Sequence, residues 1–238
     1  MNGNVRFFSA GPLTLVAILI LIVLVIVLIP LAIFGIIGAA FTKLGFSWIA
    51  ALALVILMLA GSAVNIPLYR VKRDVLRAVH SGTMEFGSGM SIHSDQPWET
   101  LVSLNLGGAV IPVLVSVYLV DKAASLPGTA LLAPLGAGVV LVSCAAYFAT
   151  RIDPGTGIHV PLILPALTAL VVAFLVAGGP GVSASVAAFV AGVTGTLIGG
   201  NIARINRIKE LEVGSVSIGG AGTFASVFVC CIHPALIA

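Results

Sequence analysis

Charged side chains are scarce in this sequence. Asp, Glu, Lys and Arg make up 8% of its 238 residues, whereas a soluble domain carries about 25%. Hydrophobic residues make up 60%, and the few charges lie in short clusters between long apolar runs. This composition excludes an ordinary water-soluble surface, so we expect lipid to surround most of the chain. The net charge of +3 reports membrane orientation in such a protein, and we expect no nucleic-acid partner.

Cysteines are few, and complete catalytic motifs are missing. Cys144, Cys230 and Cys231 lie in apolar runs without the spacing of a zinc site, so we expect small core residues and no disulfide framework. The sequence contains no P-loop, no H-E-x-x-H motif and no recognisable Ser–His–Asp set. It therefore predicts no metal and no cofactor, and it favours a protein that is not an enzyme.

The apolar runs also lack the alternation of polar and apolar residues that a membrane β-barrel requires. Each is apolar on every side and approaches the roughly 20 helical residues that cross about 30 Å of hydrocarbon. The sequence predicts an all-α, polytopic transmembrane helix bundle, a single domain over 1–238 with about seven spans. The expected spans are 12–41, 47–68, 101–120, 129–150, 158–177, 182–202 and 218–237.

Two polar connections leave alternatives open. Residues 70–99 form the only long polar segment and are expected to be a cytoplasmic loop, whose middle, 84–93, fits either a small hairpin or a loose surface loop. Residues 158–202 fit either two spans or a re-entrant hairpin, because the turn at 178–181 is short and uncharged.

Basic residues divide unequally between the two faces of this layout. The opposite face carries only Lys43 and Lys122, so the positive-inside rule places the N-terminus in the cytoplasm. We expect a multi-pass protein of a prokaryotic cytoplasmic (inner) membrane, with the lipid bilayer as its partner and other membrane subunits or self-association as further partners. The remaining nine of the eleven Lys and Arg residues lie on the N-terminal face: Arg6, Arg70, Lys72, Arg73, Arg77, Arg151, Arg204, Arg207 and Lys209.

A few polar side chains are expected at membrane depth, where such groups are functional candidates. Asn65 and Asn105 fit either hydrogen bonds between helices or the polar lining of a path. In the second case Asn201 and the turn at 153–159 would line the same path. Asp153 and His159 flank a Gly-rich turn that enters the fifth span, which fits either a plain turn at the interface or a site at an interrupted helix.

Glycine is abundant, with 27 residues. Gly195 and Gly199 form a small-xxx-small motif, and Gly220 and Gly222 open the last span, so all four predict close helix packing. The segment 220–225 also matches G-x-G-x-x-A. We expect no dinucleotide site there, because the chain lacks the required strand–turn–helix unit.

Three blocks of sequence resemble a family of archaeal and bacterial integral-membrane proteins classed only as a domain of unknown function. The blocks are GSAVNIPLY at 61–69, NLGGAVIPVLVSVY at 105–118 and VSIGGAGTF at 216–224. They occur in the same order, and the similarity runs from about residue 12 to the end. The resemblance implies a shared membrane fold and no particular activity.

Two positions depart from the family. Members that the chain resembles often carry an aspartate at the position of Asn201 and another at the position of Ala225. Such a pair on adjoining helices looks like a membrane aspartyl protease or a cation site, and neither position ionises here.

The sequence as a whole leaves three functional hypotheses. They are a small transport or channel-like protein, a structural or accessory subunit of a larger membrane complex, and an intramembrane aspartyl-protease-like fold that lacks its acidic pair.

Overall fold

Seven α-helices form most of the chain in the computed structural model, which describes residues 12–72, 99–125, 132–153, 155–210 and 213–237. The helices are α1 (Pro12–Lys43), α2 (Trp48–Gly61), α3 (Ile111–Ala124), α4 (Leu132–Ala149), α5 (Ile163–Ala177), α6 (Val182–Gly200) and α7 (Phe224–Ile237). Helices that are not neighbours in sequence also pack together, α4 against α6 and α1 against α7 among them.

Helix α6 is the centre of the bundle. Most of its residues are buried, and α3, α4, α5 and α7 all pack against it. Its sequence explains this position, because Ala, Gly, Ser and Thr predominate and let neighbouring backbones come close. Phe189 is its one aromatic residue, and it stacks edge-on against Phe41 of α1 with ring centroids 5.9 Å apart.

Five strands accompany the helices and correct the all-α expectation. They are β1 (Asn65–Lys72), β2 (Glu99–Asn105), β3 (Arg151–Asp153), β4 (Gly157–His159) and β5 (Ser215–Ile218). In one sheet β2 lies between β1, which is antiparallel to it, and β5, which is parallel to it. The other two form the antiparallel β3–β4 hairpin. The strands lie in the α2–α3, α4–α5 and α6–α7 connections, and we call this end of the bundle the sheet end.

Several predicted spans are therefore shorter as helices. The second span was expected over 47–68, but α2 ends at Gly61 and β1 follows. The third, expected from 101, begins as β2 and passes through a π-helical turn at Leu106–Val110 before α3. The fifth and seventh, expected from 158 and 218, begin as helices at Ile163 and Phe224. The predicted spans were too long as helices because hydropathy measures only how apolar a segment is. Many of the strand residues in these segments are apolar too, so they were counted with the helices.

The long polar segment is described only at its two ends. Residues 70–72 belong to β1 and residue 99 opens β2, so these positions are strand where a loop was expected. The hairpin considered for 84–93 lies outside the described residues.

Three helical stretches are long and apolar enough to cross a membrane: Ile18–Lys43, Leu106–Ala124 and Val182–Ile208. Four further apolar helices are shorter. Large apolar side chains are exposed on the outer faces, among them Ile49, Phe148 and Leu175. Such a surface needs lipid, so this is an integral membrane protein. The number of crossings and their direction stay predictions.

Candidate functional site

A polar cleft of about 150 Å³ opens at the sheet end, between β5 and the β3–β4 hairpin. Strand β5 forms one wall, the hairpin forms the other, and we call this space the sheet-end cleft. Its lining residues are Asn65, Thr156, Gly157, Ile158, Ser215, Val216, Ser217 and Ala221.

The β5 wall presents backbone groups to this cleft. Within the described sheet β5 pairs with β2 alone, and the N–H of Leu101 donates to the carbonyl of Gly214 at 2.9 Å. In a parallel ladder with Val102 opposite Val216, alternate residues bond the neighbour, so the groups of Val216 point to β2. Those of Ser215 and Ser217 point away from β2, and both residues line the cleft. The Ser217 carbonyl accepts from the Gly220 N–H at 3.1 Å.

An asparagine pair fixes the base of the cleft. Asn65 and Asn105 face each other in the β1–β2 register, and Asn105 Nδ2 donates to Asn65 Oδ1 at 3.0 Å. Asn65 Oδ1 also accepts from Ser217 Oγ at 2.5 Å, which ties β1 to β5 across β2. Asn105 Nδ2 donates further to the Ser62 carbonyl at 2.7 Å. Its Oδ1 accepts from the Gly108 N–H at 2.7 Å, capping the helical turn that leads into α3.

Asn201 lies behind the cleft, at the end of α6. Its Nδ2 donates to Thr223 Oγ1 at 3.0 Å, and its Oδ1 accepts from the Gly219 N–H at 3.3 Å. Asn201 and Thr223 are buried. Thr223 precedes α7, and Ala225 in the first turn of α7 is exposed. The structure therefore brings position 201 against the turn that leads to position 225.

The hairpin wall carries the other predicted polar residues. Asp153 Oδ1 accepts from the Gly155 N–H at 3.0 Å, and His159 Nε2 lies 2.9 Å from Thr156 Oγ1. The Gly155 N–H, with help from Thr156 and the nearby His159, holds the pKa of the exposed Asp153 carboxyl below its usual value. Asp153 is thus an ionised turn former. Among the described residues, no three His, Cys, Asp or Glu side chains come together as metal ligands.

Glycines allow the backbones around the cleft to approach closely. A Cβ on Gly108 would lie 2.0 Å from the Gly219 carbonyl oxygen, and one on Gly222 would lie 2.4 Å from that of Ile158. Gly219 and Gly222 also adopt φ of +73° and +87°, which side chains disfavour. Gly220 lies against Ser217 of the same turn. Of the four glycines singled out for packing, Gly220 and Gly222 thus belong to the turn before α7.

Of the polar residues singled out from the sequence, Asn65 lines the cleft. Asn105 bonds to Asn65, and Asp153 and His159 lie on the hairpin without lining the cleft. Ser215 and Ser217 were not predicted. Their signal was the polar–apolar alternation of Ser-Val-Ser-Ile at 215–218 before two glycines, which is typical of a short strand and a turn.

A family model described as "Protein of unknown function (DUF1614)" matches residues 59–237. The chain belongs to this family. The match covers every residue that lines the sheet-end cleft and confirms the resemblance to an uncharacterised membrane family. No curated protein and no solved structure matches the chain. Membership in DUF1614 gives no activity, so a function has to be argued from the site.

Proposed function

We propose that this DUF1614 protein binds an extended polypeptide segment in the sheet-end cleft and does not hydrolyse it. The observation that carries the proposal is the β5 edge, where the N–H and C=O of Ser215 and the N–H of Ser217 point away from β2. The Ser217 carbonyl is already bonded to the Gly220 N–H, at 3.1 Å. An exposed strand edge is a template for another extended chain, because each outward N–H and C=O needs a partner.

The shape of the cleft favours a strand over a compact ligand. Its volume of about 150 Å³ is below the roughly 300–1,000 Å³ typical of sites for drug-sized ligands and cofactors. Its wall and base offer main-chain groups, hydroxyls and an amide rather than charges. Such groups pair with any polypeptide backbone, so the proposed ligand is recognised through its main chain.

The absence of hydrolysis is argued from positions 201 and 225. In aspartyl chemistry two carboxylates share a proton. Neither Asn201 nor Ala225 has a carboxylate. The Asn201 amide is engaged by Thr223 and Gly219 on both of its polar atoms. A protease-like arrangement of these helices would therefore bind a peptide without cleaving it.

A transport path has less support from the same residues. Of the three asparagines considered for a path, Asn65 lines the cleft. Asn105 and Asn201 are buried, and their amide groups are hydrogen-bonded to neighbouring residues. Transport stays a prediction of the sequence. The accessory-subunit hypothesis is compatible with peptide binding, since the bound segment can belong to a partner protein.

Crosslinking with a matched pair of edge variants tests the proposal. The full-length protein carries a diazirine amino acid at Thr156, on the wall opposite β5, and is illuminated in native membranes. Ser215→Pro deletes the outward N–H at an edge position where proline is sterically tolerated. Ser215→Ala removes only the hydroxyl. We expect crosslinks to polypeptide in the Ala variant and a loss of about fivefold or more in the Pro variant.

Ser215→Ala is the control for the loss of the hydroxyl, because it keeps the backbone N–H. The melting temperatures of both variants control for a loss of stability. Equal crosslinking by the two variants at equal stability would rule out pairing along β5. Crosslinks only to lipid would rule out a polypeptide ligand.

A further inference from the structure

A second cavity lies at the opposite end of the bundle from the sheet. Its volume is about 210 Å³, and Lys43 and Lys122 both line it. These are the two basic residues that the sequence places on the face poor in positive charge. They are 79 positions apart in the chain, yet one cavity receives both side chains.

The fold explains how each lysine reaches this cavity. Lys43 ends α1, and its Nζ donates to the Leu236 carbonyl in the last turn of α7. Lys122 lies in the last turn of α3 and covers the turn between α1 and α2. A Cβ on Gly45 would lie 2.7 Å from Lys122 Nζ, and Gly45 has φ +88°. A glycine at that turn therefore leaves room for the ammonium group.

The start of α6 adds further positive potential. Val182 and Ser183, in its first turn, line the cavity, and Gly181 provides no side-chain cap. The first N–H groups of a helix have no partner within the helix and favour anions. Among the described residues, no carboxylate lines the cavity, although Asp121 neighbours Lys122 in sequence. The remaining walls are largely apolar and include Leu44, Leu119 and Val186.

We propose that this cavity binds a phosphate group carried by an anionic lipid headgroup. Two ammonium groups and helix N–H groups match the charge of a phosphate, and the apolar walls match the glycerol and acyl carbons that follow it. This site is independent of the sheet-end cleft, because it lies at the other end of the bundle and shares no lining residue with it.

Native mass spectrometry of the full-length protein tests the site with defined probes. Phosphatidylglycerol is added in one arm, phosphatidylcholine in the second, and inorganic phosphate in the third. The variants are Lys122→Gln, which keeps the Lys43–Leu236 bond, and the double variant Lys43→Gln/Lys122→Gln. Lys72→Gln, at the sheet end, is the matched control.

We expect phosphatidylglycerol to bind in preference to phosphatidylcholine, with about fivefold weaker binding for each lysine removed. Displacement by inorganic phosphate would identify the phosphate alone as the bound group, and retention of the lipid would assign the headgroup as a whole. Unchanged binding in Lys122→Gln and in the double variant, or an equal loss in Lys72→Gln, would overturn the proposal. Melting temperatures of all variants separate lost binding from lost folding.

Discussion

At the scale of single residues, the two facing asparagines, Asn65 and Asn105, have different hydrogen-bonding roles. Asn105 is both donor and acceptor: its Nδ2 meets two oxygens, and its Oδ1 caps a helical turn. Asn65 acts through Oδ1 alone in the bonds described, accepting from Asn105 and Ser217. The chemistry of the amide is therefore indispensable at one position and replaceable by a carboxylate at the other.

This difference predicts opposite outcomes for one substitution. Asn105→Asp places a buried carboxylate oxygen against the Ser62 carbonyl and Asn65 Oδ1, which both only accept. We expect it to lower the free energy of unfolding by about 3 kcal/mol or more. The buried carboxylate keeps the Gly108 N–H on one oxygen, but the oxygen that replaces Nδ2 faces two acceptors and has no donor, which is costly for a charged group. Asn65→Asp keeps an acceptor for both of its donors, and we expect a loss of less than about 1 kcal/mol.

Thermal unfolding of both variants in the same mild detergent measures this difference. Asn105→Ala serves as the control. It removes both the Nδ2 donor and the Oδ1 cap of Gly108 without adding a charge, and its loss should fall between the other two. Equal losses in Asn105→Asp and Asn65→Asp would contradict the assigned donor and acceptor roles.

At the scale of elements, hydropathy located the apolar segments but did not predict their conformation. The predicted span 47–68 covers α2 and the first half of β1, because Ile66 and Leu68 are as apolar as the helix. Helix α2 has 14 residues, about 21 Å at 1.5 Å per residue, and so falls short of about 30 Å of hydrocarbon. The strand that follows stays apolar as far as Leu68, and Tyr69 and Arg70 come next in it.

Which segments pair as strands could not be predicted from the sequence. Strand β2 pairs with β1 across the whole polar segment and with β5 more than one hundred residues later. Such pairing depends on tertiary contacts, whereas the pattern of one strand reports only its own faces. The same limit hid the cleft, because its walls come from 156–158 and 215–217.

The contact between α4 and α6 gives a prediction at this scale. A Cβ on Gly199 would lie 1.9 Å from the Ser143 carbonyl oxygen, and one on Gly195 would lie 2.6 Å from Val142 Cβ. We expect Gly199→Ala to lower the free energy of unfolding by about 1–3 kcal/mol, because the main chain of α4 has to move.

Gly136→Ala in α4 is the matched control for that variant. A Cβ at Gly136 would meet no atom within 4 Å, so replacing this helical glycine should be neutral or stabilise by up to about 1 kcal/mol. Unfolding in the same detergent compares the two alanines. If Gly199→Ala is as stable as Gly136→Ala, the close α4–α6 approach is refuted.

At the scale of the whole molecule, the two ends differ in charge and α1 differs from the other helices. Helix α1 has 32 residues, about 48 Å, and its large side chains from Ile18 to Leu31 are exposed. Only α2 and α7 make extensive contact with it. The stretch from Ile18 to Leu31 therefore needs lipid or another protein around it. A partner subunit or self-association, which the sequence predicts, would supply that cover.

The charge difference between the ends predicts the orientation. Among the described residues, the basic residues at the sheet end include Arg70, Lys72, Arg151, Arg204 and Arg207, whereas Lys43 and Lys122 lie at the opposite end. The positive-inside rule therefore predicts a cytoplasmic sheet end. We expect alkaline phosphatase to be active when fused after Ala238 and inactive when fused after Val160, and a fluorescent protein should give the inverse pattern.

Labelling of the turn between α5 and α6 completes that prediction and decides between two spans and a re-entrant hairpin. With two spans, residues 178–181 lie on the outer face. Pro180→Cys, in a chain whose three native cysteines are replaced by alanine, should then react with a membrane-impermeant maleimide added from outside. A re-entrant hairpin would place this turn inside the bilayer, where the thiol stays protonated and unreactive. A thiol labelled only after the cells are opened would reverse the orientation and make the sheet-end cleft an external site.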